Sequence, residues 1–400
     1  MKRVYLDYAS LTPVDKRVER VVADYAKTER KGIYANPSSI YAAGVEAKKV
    51  LEQARASVAK FLNAHADEII FTSGGTESNG LALEGAGRAF RHAGNEKPHL
   101  IISAIEHSSV IEIAAMMEKH GCEVTRLSVD HSGMVSLDEL KKSIRPNTFM
   151  VSIMTVNNEI GVMQPMREIA KIIRHARTNI TKSAYPLFHT DAAQAALYYD
   201  LNVEKLGADL ITLDSIKIYG PRGIGALYIK RGTLIEQIMY GGGQEKGLRS
   251  GTENIAGISG FAKALEIAAE EREEETKRIA GLRDYFIEKL KTKFPKLIVH
   301  GVHIPGDAEK RIANNINVTL NDADHEFFLL QLDVRGVVCS TKSACLRDED
   351  ESYVIRALSK NTAGNSSKKV PQSLRFSLGR STKKKDIDYA LKMIDDILSV

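Results

Sequence analysis

The chain has 400 residues, 43% of them apolar and 27% charged, the profile of a globular protein rather than a disordered or fibrous one. Its 56 basic and 51 acidic residues leave a net charge of +5, which permits contact with nucleic acid without demanding it. No apolar run approaches the ~18 residues that span a bilayer, Asp7 interrupts the N-terminal apolar run, and the three cysteines exclude a disulfide scaffold. The expectation is therefore a cytoplasmic protein with no membrane segment, no secretory signal and no direct nucleic-acid partner. At roughly 150 residues per domain, two or three domains are expected.

In the first two thirds of the chain, short apolar runs alternate with helical spacing. The runs Glu68–Phe71, His99–Ser103, Phe149–Met154, Tyr185–His189, Asp209–Leu213 and Ile224–Ile229 read as strands, and Met166–Arg177 as one of the helices between them. This repetition predicts an α/β domain with a mainly parallel sheet, whose ligand lies beyond the carboxyl ends of the strands. Near Gly257 the texture changes. Phe261, Leu265, Ala268, Ile279, Leu282, Phe286 and Leu290 share one helical face, which predicts a long surface helix ending before Pro295. Strand-like runs at Leu297–His300, Asn315–Leu320 and Gly336–Cys339 follow, then helical patterns at Tyr353–Leu358 and Asp386–Leu398. Asn361–Lys369 reads as a mobile loop, and Lys383-Lys384-Lys385 as a solvated one.

Several polar stretches fall just after strands. Phe71-Thr72-Ser73-Gly74-Gly75-Thr76-Glu77-Ser78-Asn79 leads from a strand into a helix. Gly74, Gly75 and Thr76 offer backbone and hydroxyl donors to an anion, although a glycine pair alone is more often a capped turn. The missing lysine disfavours a nucleoside triphosphate. Asp191 precedes the small residues Ala192 and Ala193 and then Gln194, and Lys217 precedes Tyr219-Gly220-Pro221-Arg222-Gly223. A lysine for a Schiff base, an aspartate for a pyridinium nitrogen and a helix N-terminus for a phosphate are the three handles of pyridoxal phosphate. His107 could stack on such a ring and move protons, and Asn158 could bind a ring hydroxyl or a carboxylate. Arg375 could clamp a carboxylate bidentately, surface exposure being its default. Cys345 sits in the polar stretch Ser340–Arg347, while Cys339 and Cys122 read as packing residues. The acidic run Asp348–Glu351 reads either as favourable charge at a helix start or as a docking surface for a basic partner. No zinc spacing is present, so no metal is expected.

Taken together these residues resemble the cysteine desulfurases, in the class V aminotransferase branch of fold-type I pyridoxal phosphate enzymes. The resemblance runs through Tyr5-Leu6-Asp7-Tyr8, Asn36-Pro37-Ser38-Ser39, Thr72–Asn79, Glu106-His107, Asn157–Gly161, Asp191–Gln194, Lys217–Gly225, Gly241–Glu245 with Leu248–Asn254, Ser343-Ala344-Cys345 and Arg375–Arg380. It implies a large α/β cofactor domain over 14–256 with a seven-stranded type of sheet. A smaller α+β domain from 1–13 and 257–400 would carry the catalytic cysteine. It also implies that Lys217 holds the cofactor and His107 stacks on its ring. Asp191 would pair with the ring nitrogen, Gln194 and Asn158 would lie near the ring hydroxyl, and Gly75 and Thr76 would hold the phosphate. Thr252 would reach the phosphate from the other subunit of a homodimer, Arg375 would bind the carboxylate of L-cysteine, and Cys345 would be the nucleophile.

The implied products are L-alanine and a persulfide, passed to an iron–sulfur scaffold or a tRNA-thiolation protein; the stretch from Cys345 to Tyr353 matches the long-loop group that serves these acceptors. A selenocysteine lyase, an aminotransferase or a non-catalytic binding protein on the same fold are the competing readings. Three departures stand out. Asp214-Ser215-Ile216-Lys217 replaces the family's Ser-x-His-Lys, which removes two phosphate donors and turns an anionic Asp214 toward the phosphate, with Ser215 or Arg222 as the residues that could compensate. Lys342 replaces a loop glycine. The chain stops at Val400 without the extension some members use to bind the cluster scaffold.

Overall fold

The computed structural model describes residues 3–26, 34–304, 310–320, 324–341, 352–359 and 372–399. After β1 (Val4–Tyr5), the helices α1 (Lys16–Ala26) and α2 (Ala42–Leu62) lead into β2 (Ile69–Thr72). The chain then alternates through α3 (Gly75–His92), β3 (His99–Ser103), α4 (Ser108–Lys119), β4 (Glu123–Leu127), α5 (Leu137–Ser143), β5 (Thr148–Ser152), α6 (Met166–Ala176), β6 (Leu187–Asp191), α7 (Val203–Leu206), β7 (Leu210–Asp214) and β8 (Gly225–Ile229). These strands form one seven-stranded sheet in the order β2-β8-β7-β6-β5-β3-β4. Only β8 runs against its neighbours; the β7–β6, β6–β5, β5–β3 and β3–β4 pairs are parallel. The sheet is thus the mainly parallel α/β sheet that the alternation predicts.

Both faces of the sheet are covered, because successive side chains point to opposite sides of a strand. Ile70, Leu100, Ile102, Met150, Leu187, Leu210 and Leu227 pack with Leu81, Phe90, Val110 and Met117 of α3 and α4. Ile69, Phe71, Ile101, Val151, Phe188, Ile211 and Leu213 pack on the other side with Val18, Val58, Ile173, Phe261 and Leu265. Cys122 and Cys339 lie within these cores, and burial pushes the Cys122 thiol up to about 11. Both are packing residues.

The long helix is one continuous element, α8 (Ile255–Lys293), capped by the Asn254 side chain accepting from the Gly257 N–H at 3.0 Å. At 1.5 Å per residue it extends about 58 Å. Beyond it come β9 (Ile298–Val299), β10 (Asn315–Thr319), α9 (His325–Val334), β11 (Val337–Val338), α10 (Tyr353–Ser359), β12 (Leu374–Ser377) and α11 (Lys384–Leu398). They build a three-stranded sheet, β12-β10-β9, and a pair in which β1 lies parallel to β11. The first residues of the chain therefore pair with its last third.

Differences from the sequence reading have local causes. Pro186 has no N–H, so β6 begins at Leu187 rather than Tyr185. Residues 66–68 form a tight turn in which the His65 N–H donates to Glu68, delaying β2 to Ile69. The ladder of β5 ends at Ser152, where Met154 turns its N–H to Glu106. An additional edge strand, β4, mixes polar and apolar residues, with only Leu127 fully buried. Lys384 and Lys385 start α11 rather than a loop, with the Lys384 ammonium 4.5 Å from the Tyr285 ring centroid. The Asn361–Lys369 and Asp348–Glu351 stretches lie outside the described residues.

Candidate active site

The carboxyl ends of the parallel strands converge on a cavity of about 210 Å³, lined by Ala9, Ser10, Gly75, Thr76, His107, Asn158, Asp191, Gln194, Asp214, Lys217 and Arg375, among others. A water occupies about 30 Å³ in the liquid, so this space exceeds what one or two waters fill. Asp191 ends β6 and Asp214 ends β7, while His107 and Asn158 follow β3 and β5. Lys217 closes the short turn Ser215–Lys217, and its Nζ donates to the carbonyls of Ala9 at 3.0 Å and Ser10 at 2.7 Å. Gln194 donates to the same Ala9 carbonyl at 2.9 Å. The N-terminal segment thereby forms one wall of the cavity.

Asp191 is held in place at both carboxylate oxygens. Oδ1 accepts from the Ala193 N–H at 3.0 Å, and Oδ2 accepts from Asn79 Nδ2 at 2.8 Å. The same Asn79 amide donates to Ser109 Oγ at 2.8 Å, and that hydroxyl lies 2.8 Å from His107 Nδ1. Nδ1 also accepts from the Ser109 N–H at 3.2 Å, which leaves the imidazole proton on Nε2. Asn79 was not singled out from the sequence. Its signal is its spacing: four residues beyond Gly75 on α3, it shares the face that meets the strand ends.

Arg375 is almost wholly buried, not surface-exposed. Its Nη2 donates to Asp7 Oδ1 at 2.9 Å and Ser10 Oγ at 2.7 Å, its Nη1 to the Asn158 carbonyl at 3.1 Å, and its Nε has no partner. Asn158 Oδ1 is likewise buried, and among the described residues neither it nor Arg375 Nε has a partner. Glu106, beside His107, is buried and accepts from Ser103 Oγ and the Met154 N–H. Burial pushes its pKa up to about 8, so at neutral pH it holds a proton.

Two sequence-predicted residues, Ser215 and Thr252, do not line this cavity. Ser215 is fully buried; its Oγ packs against Gly220, where a Cβ would come within 2.1 Å, and has no hydrogen-bond partner among the described residues. Successive residues face opposite ways, so with Asp214 in the cavity Ser215 points into the core. Thr252 is exposed and does not line this cavity. Cys345 and Lys342 lie outside the described residues, and the described residues Ser340, Ser352 and Tyr353 flank them. Ser340 exchanges backbone hydrogen bonds with Arg375, at 3.0 and 2.6 Å. On the far side, Ser352 Oγ donates to Glu159 Oε2 at 2.6 Å and the Tyr353 hydroxyl to the Glu106 carbonyl.

The Asp214 carboxylate lies over the start of α3. Its Oδ2 accepts from the Gly75 N–H at 3.2 Å and its Oδ1 from the Ile216 N–H at 3.1 Å. Burial raises its pKa above the ordinary aspartate value, with Lys217 opposing the rise.

A lysine, a fixed carboxylate, an imidazole and a buried guanidinium around one cavity form the constellation of an enzyme acting on amino acids. The aminotransferase class-V family model matches residues 4–390. The chain is 41% identical over 406 aligned residues to cysteine desulfurase IscS of Dictyoglomus turgidum, covering 100% of this chain and 95% of the relative. A solved NifS-like protein superposes with a TM-score of 0.87 at 32% identity, covering 100% of both chains. A second solved structure, SspA in complex with cysteine, gives a TM-score of 0.76 at 33% identity over 94% of this chain and 98% of that one. The chain belongs to the class-V aminotransferases and, within them, to the cysteine desulfurases. Its fold is accordingly that of the fold-type I enzymes.

Proposed function

We propose that the chain removes sulfur from L-cysteine with pyridoxal phosphate held at Lys217, leaving L-alanine and a persulfide on Cys345 for an acceptor protein. The observation that carries this reading is the convergence of Lys217, Asp191, His107 and Arg375, from four distant stretches of chain, on one cavity. At the ring end the donor set fits the cofactor: Asp191 is a positioned carboxylate, and the unpartnered Asn158 Oδ1 is a buried acceptor awaiting a donor. At the phosphate end the Gly75 N–H and Thr76 fit, whereas Asp214 takes up the Gly75 donor.

When bound, pyridoxal phosphate supplies an electron sink for the pair left at the amino acid Cα. Asp191 would hold the proton of the ring nitrogen, with Asn79 keeping the carboxylate in register. Gln194 and Asn158 are the residues that would serve the ring hydroxyl. Lys217 takes a proton at Nζ and returns it, within reach of the Ala9 and Ser10 carbonyls. Arg375 binds the substrate carboxylate, and its unpartnered Nε is an open donor for it. His107, in the cavity lining, would stack on the ring and presents Nε2–H to the cavity. The Cys345 thiolate attacks the substrate sulfur: the new S–S bond forms as the C–S bond breaks, its electron pair stays on the carbon and picks up a proton, and alanine leaves. Ser340, paired with Arg375, lies within about 18 Å of chain from Cys345, which supports that approach.

The reading extends to a homodimer in which Thr252 of each subunit serves the other's phosphate. Residues 14–256 form the cofactor-bearing unit, with 1–13 and 257–400 as the smaller one. It also places the protein in the cytoplasm, with an iron–sulfur scaffold or a tRNA-thiolation protein as sulfur acceptor. In the described residues no helix is long and apolar enough to cross a membrane. The test is incubation of cofactor-loaded protein with L-cysteine. Alanine and protein persulfide are expected, and Cys345→Ala should abolish the persulfide while retaining bound cofactor. An unchanged persulfide yield in that variant refutes the reading.

A further inference from the structure

The departure at Asp214 has a geometry that the substitution alone does not disclose. A phosphate at the start of a helix is normally held by the first free backbone N–H groups. At α3 the first of these, that of Gly75, is already occupied by Asp214 Oδ2 at 3.2 Å. The carboxylate is not a bystander on a flexible arm. Asp214 ends β7 in register with Gly225 of β8, Oδ1 is pinned by the Ile216 N–H, and Gly225 packs so closely on the Gly74 turn that a Cβ there would come within 2.7 Å of its Cα. A Cβ on Gly75 would sit 3.1 Å from Oδ2. One anion therefore already sits at the end of the cavity where a second is needed.

We propose that Asp214 is a vitamer-selecting residue: its ionised carboxylate and a cofactor phosphate exclude one another at the α3 terminus. Pyridoxal phosphate is then taken up together with a proton on Asp214, whereas unphosphorylated pyridoxal binds without one. The inference rests on the reading that Lys217 holds a B6 aldehyde.

The charged groups around Asp214 set the terms. Lys217, on the same turn, favours the ionised carboxylate, and Asp191, at the end of the adjoining β6, disfavours it, as does burial. His107 and Arg375 face it across the cavity, Arg375 already engaged with Asp7. Glu77, in the first turn of α3, is paired with Arg249 at 2.9 Å. Lys217 is the cation on the Asp214 turn, and its amine is the group that condenses with the aldehyde, whichever vitamer is bound. Proton uptake by Asp214 lowers the negative charge at this end.

The test is equilibrium dialysis of the full chain, freed of cofactor, against pyridoxal phosphate and pyridoxal between pH 6.5 and 8.5. Lysine protonation affects both aldehydes alike, so the ratio of their Kd values isolates the phosphate end. Phosphate itself ionises near pH ~6, below most of this window. In the wild-type chain the ratio Kd(pyridoxal phosphate)/Kd(pyridoxal) should rise about tenfold per pH unit, the signature of one linked proton. In Asp214→Asn the ratio should be flat and pyridoxal phosphate should bind at least tenfold tighter at pH 8, with Asp214→Ser behaving likewise. Equal slopes in wild type and variant, or no tightening in either variant, overturn the proposal. Borohydride reduction and peptide mapping report separately on Lys217. Retention of neither aldehyde by any of the three proteins overturns the Lys217 reading and the proposal with it.

Discussion

Asn79 and Asp191 are joined by a 2.8 Å hydrogen bond from Nδ2 to Oδ2, and the second hydrogen of the same amide reaches Ser109 Oγ at 2.8 Å. One buried side chain on α3 thus orients the carboxylate that ends β6 and, through Ser109, the imidazole of His107. The two groups proposed to grip the cofactor ring are set by a residue that is not among those lining the cavity.

Removing Asn79 should be felt at the cofactor. A hydrogen bond to a charged group contributes about 1.5–3 kcal/mol, so Asn79→Ala is expected to weaken retention of pyridoxal phosphate by about ten- to a hundredfold. Asn79→Asp, which sets a second carboxylate against Asp191, should be worse. Dialysis measures the affinity, and a melting curve on the same samples separates misfolding from lost positioning. Affinity unchanged in a folded Asn79→Ala chain would show that Ala193 alone suffices to hold Asp191.

Glu106 makes stability depend on pH in an unusual direction. Burial lifts its pKa from 4.5 to about 8, so the native state keeps a proton that the unfolded chain has lost. Stability from this group is complete below pH 4.5 and declines as pH rises toward 8. The buried His99, His189 and His300 and the half-buried His303 act oppositely, burial depressing each to about 4. The unfolded chain takes their protons first as pH falls below 6.5, and stability drops there. Urea midpoints across pH 5–8.5 should therefore peak near neutrality. Glu106→Gln should remove the alkaline decline and leave the acid one; an alkaline limb that persists would assign it to another group.

Arg375 should separate binding from folding. Arg375→Lys keeps a charge near Asp7 but loses the planar fork, and KM for L-cysteine should rise about ten- to a hundredfold with little change in kcat. Arg375→Ala leaves Asp7 without its buried partner, and breaking such a pair costs about 3–5 kcal/mol. Its urea midpoint should fall as well. Alanine production kinetics and denaturation on both variants distinguish the two roles.

The inner strands of the large sheet were legible in the sequence as short apolar runs, because a sheet buried on both faces needs apolar side chains at consecutive positions. His99–Ser103 matches to the residue. The edge strand β4 was not, since an edge exposes most of Glu-Val-Thr-Arg-Leu and leaves no apolar run to read. At the site, residues after strand ends announced themselves. Asn79 and Glu106 did not, because what distinguishes them is burial among polar partners. For Arg375 spacing alone left surface exposure as the default, and only the resemblance pointed inward: a charge on a short strand looks solvated until Asp7 and Ser10, far away in sequence, are seen to enclose it. Asp214 was legible as a departure, but which donor it takes was not.

The buried pair Arg55–Glu245 fixes the cavity from outside. Both guanidinium termini of Arg55 meet the Glu245 carboxylate, at 2.7 and 2.8 Å, and Oε2 also accepts from the Phe71 N–H at 2.8 Å. Phe71 lies on β2, directly before the turn that opens α3, so this carboxylate ties residues 245–246 to the strand that delivers Gly75. The tie holds Glu245 at φ 48° and Lys246 at φ 60°, left-handed conformations in non-glycine residues. Such conformations persist where surrounding contacts over-determine them. Glu245→Gln keeps the shape but leaves Arg55 with an uncompensated charge, and the expected loss is about 3–5 kcal/mol. Because the strain is released together with the pair, Lys246→Gly, which relieves one residue without breaking the contact, should raise the urea midpoint slightly. Near-neutral behaviour of Glu245→Gln would mean that Glu52, 3.3 Å from Arg55 Nε, takes over the charge, and the double variant with Glu52→Gln would then carry the loss.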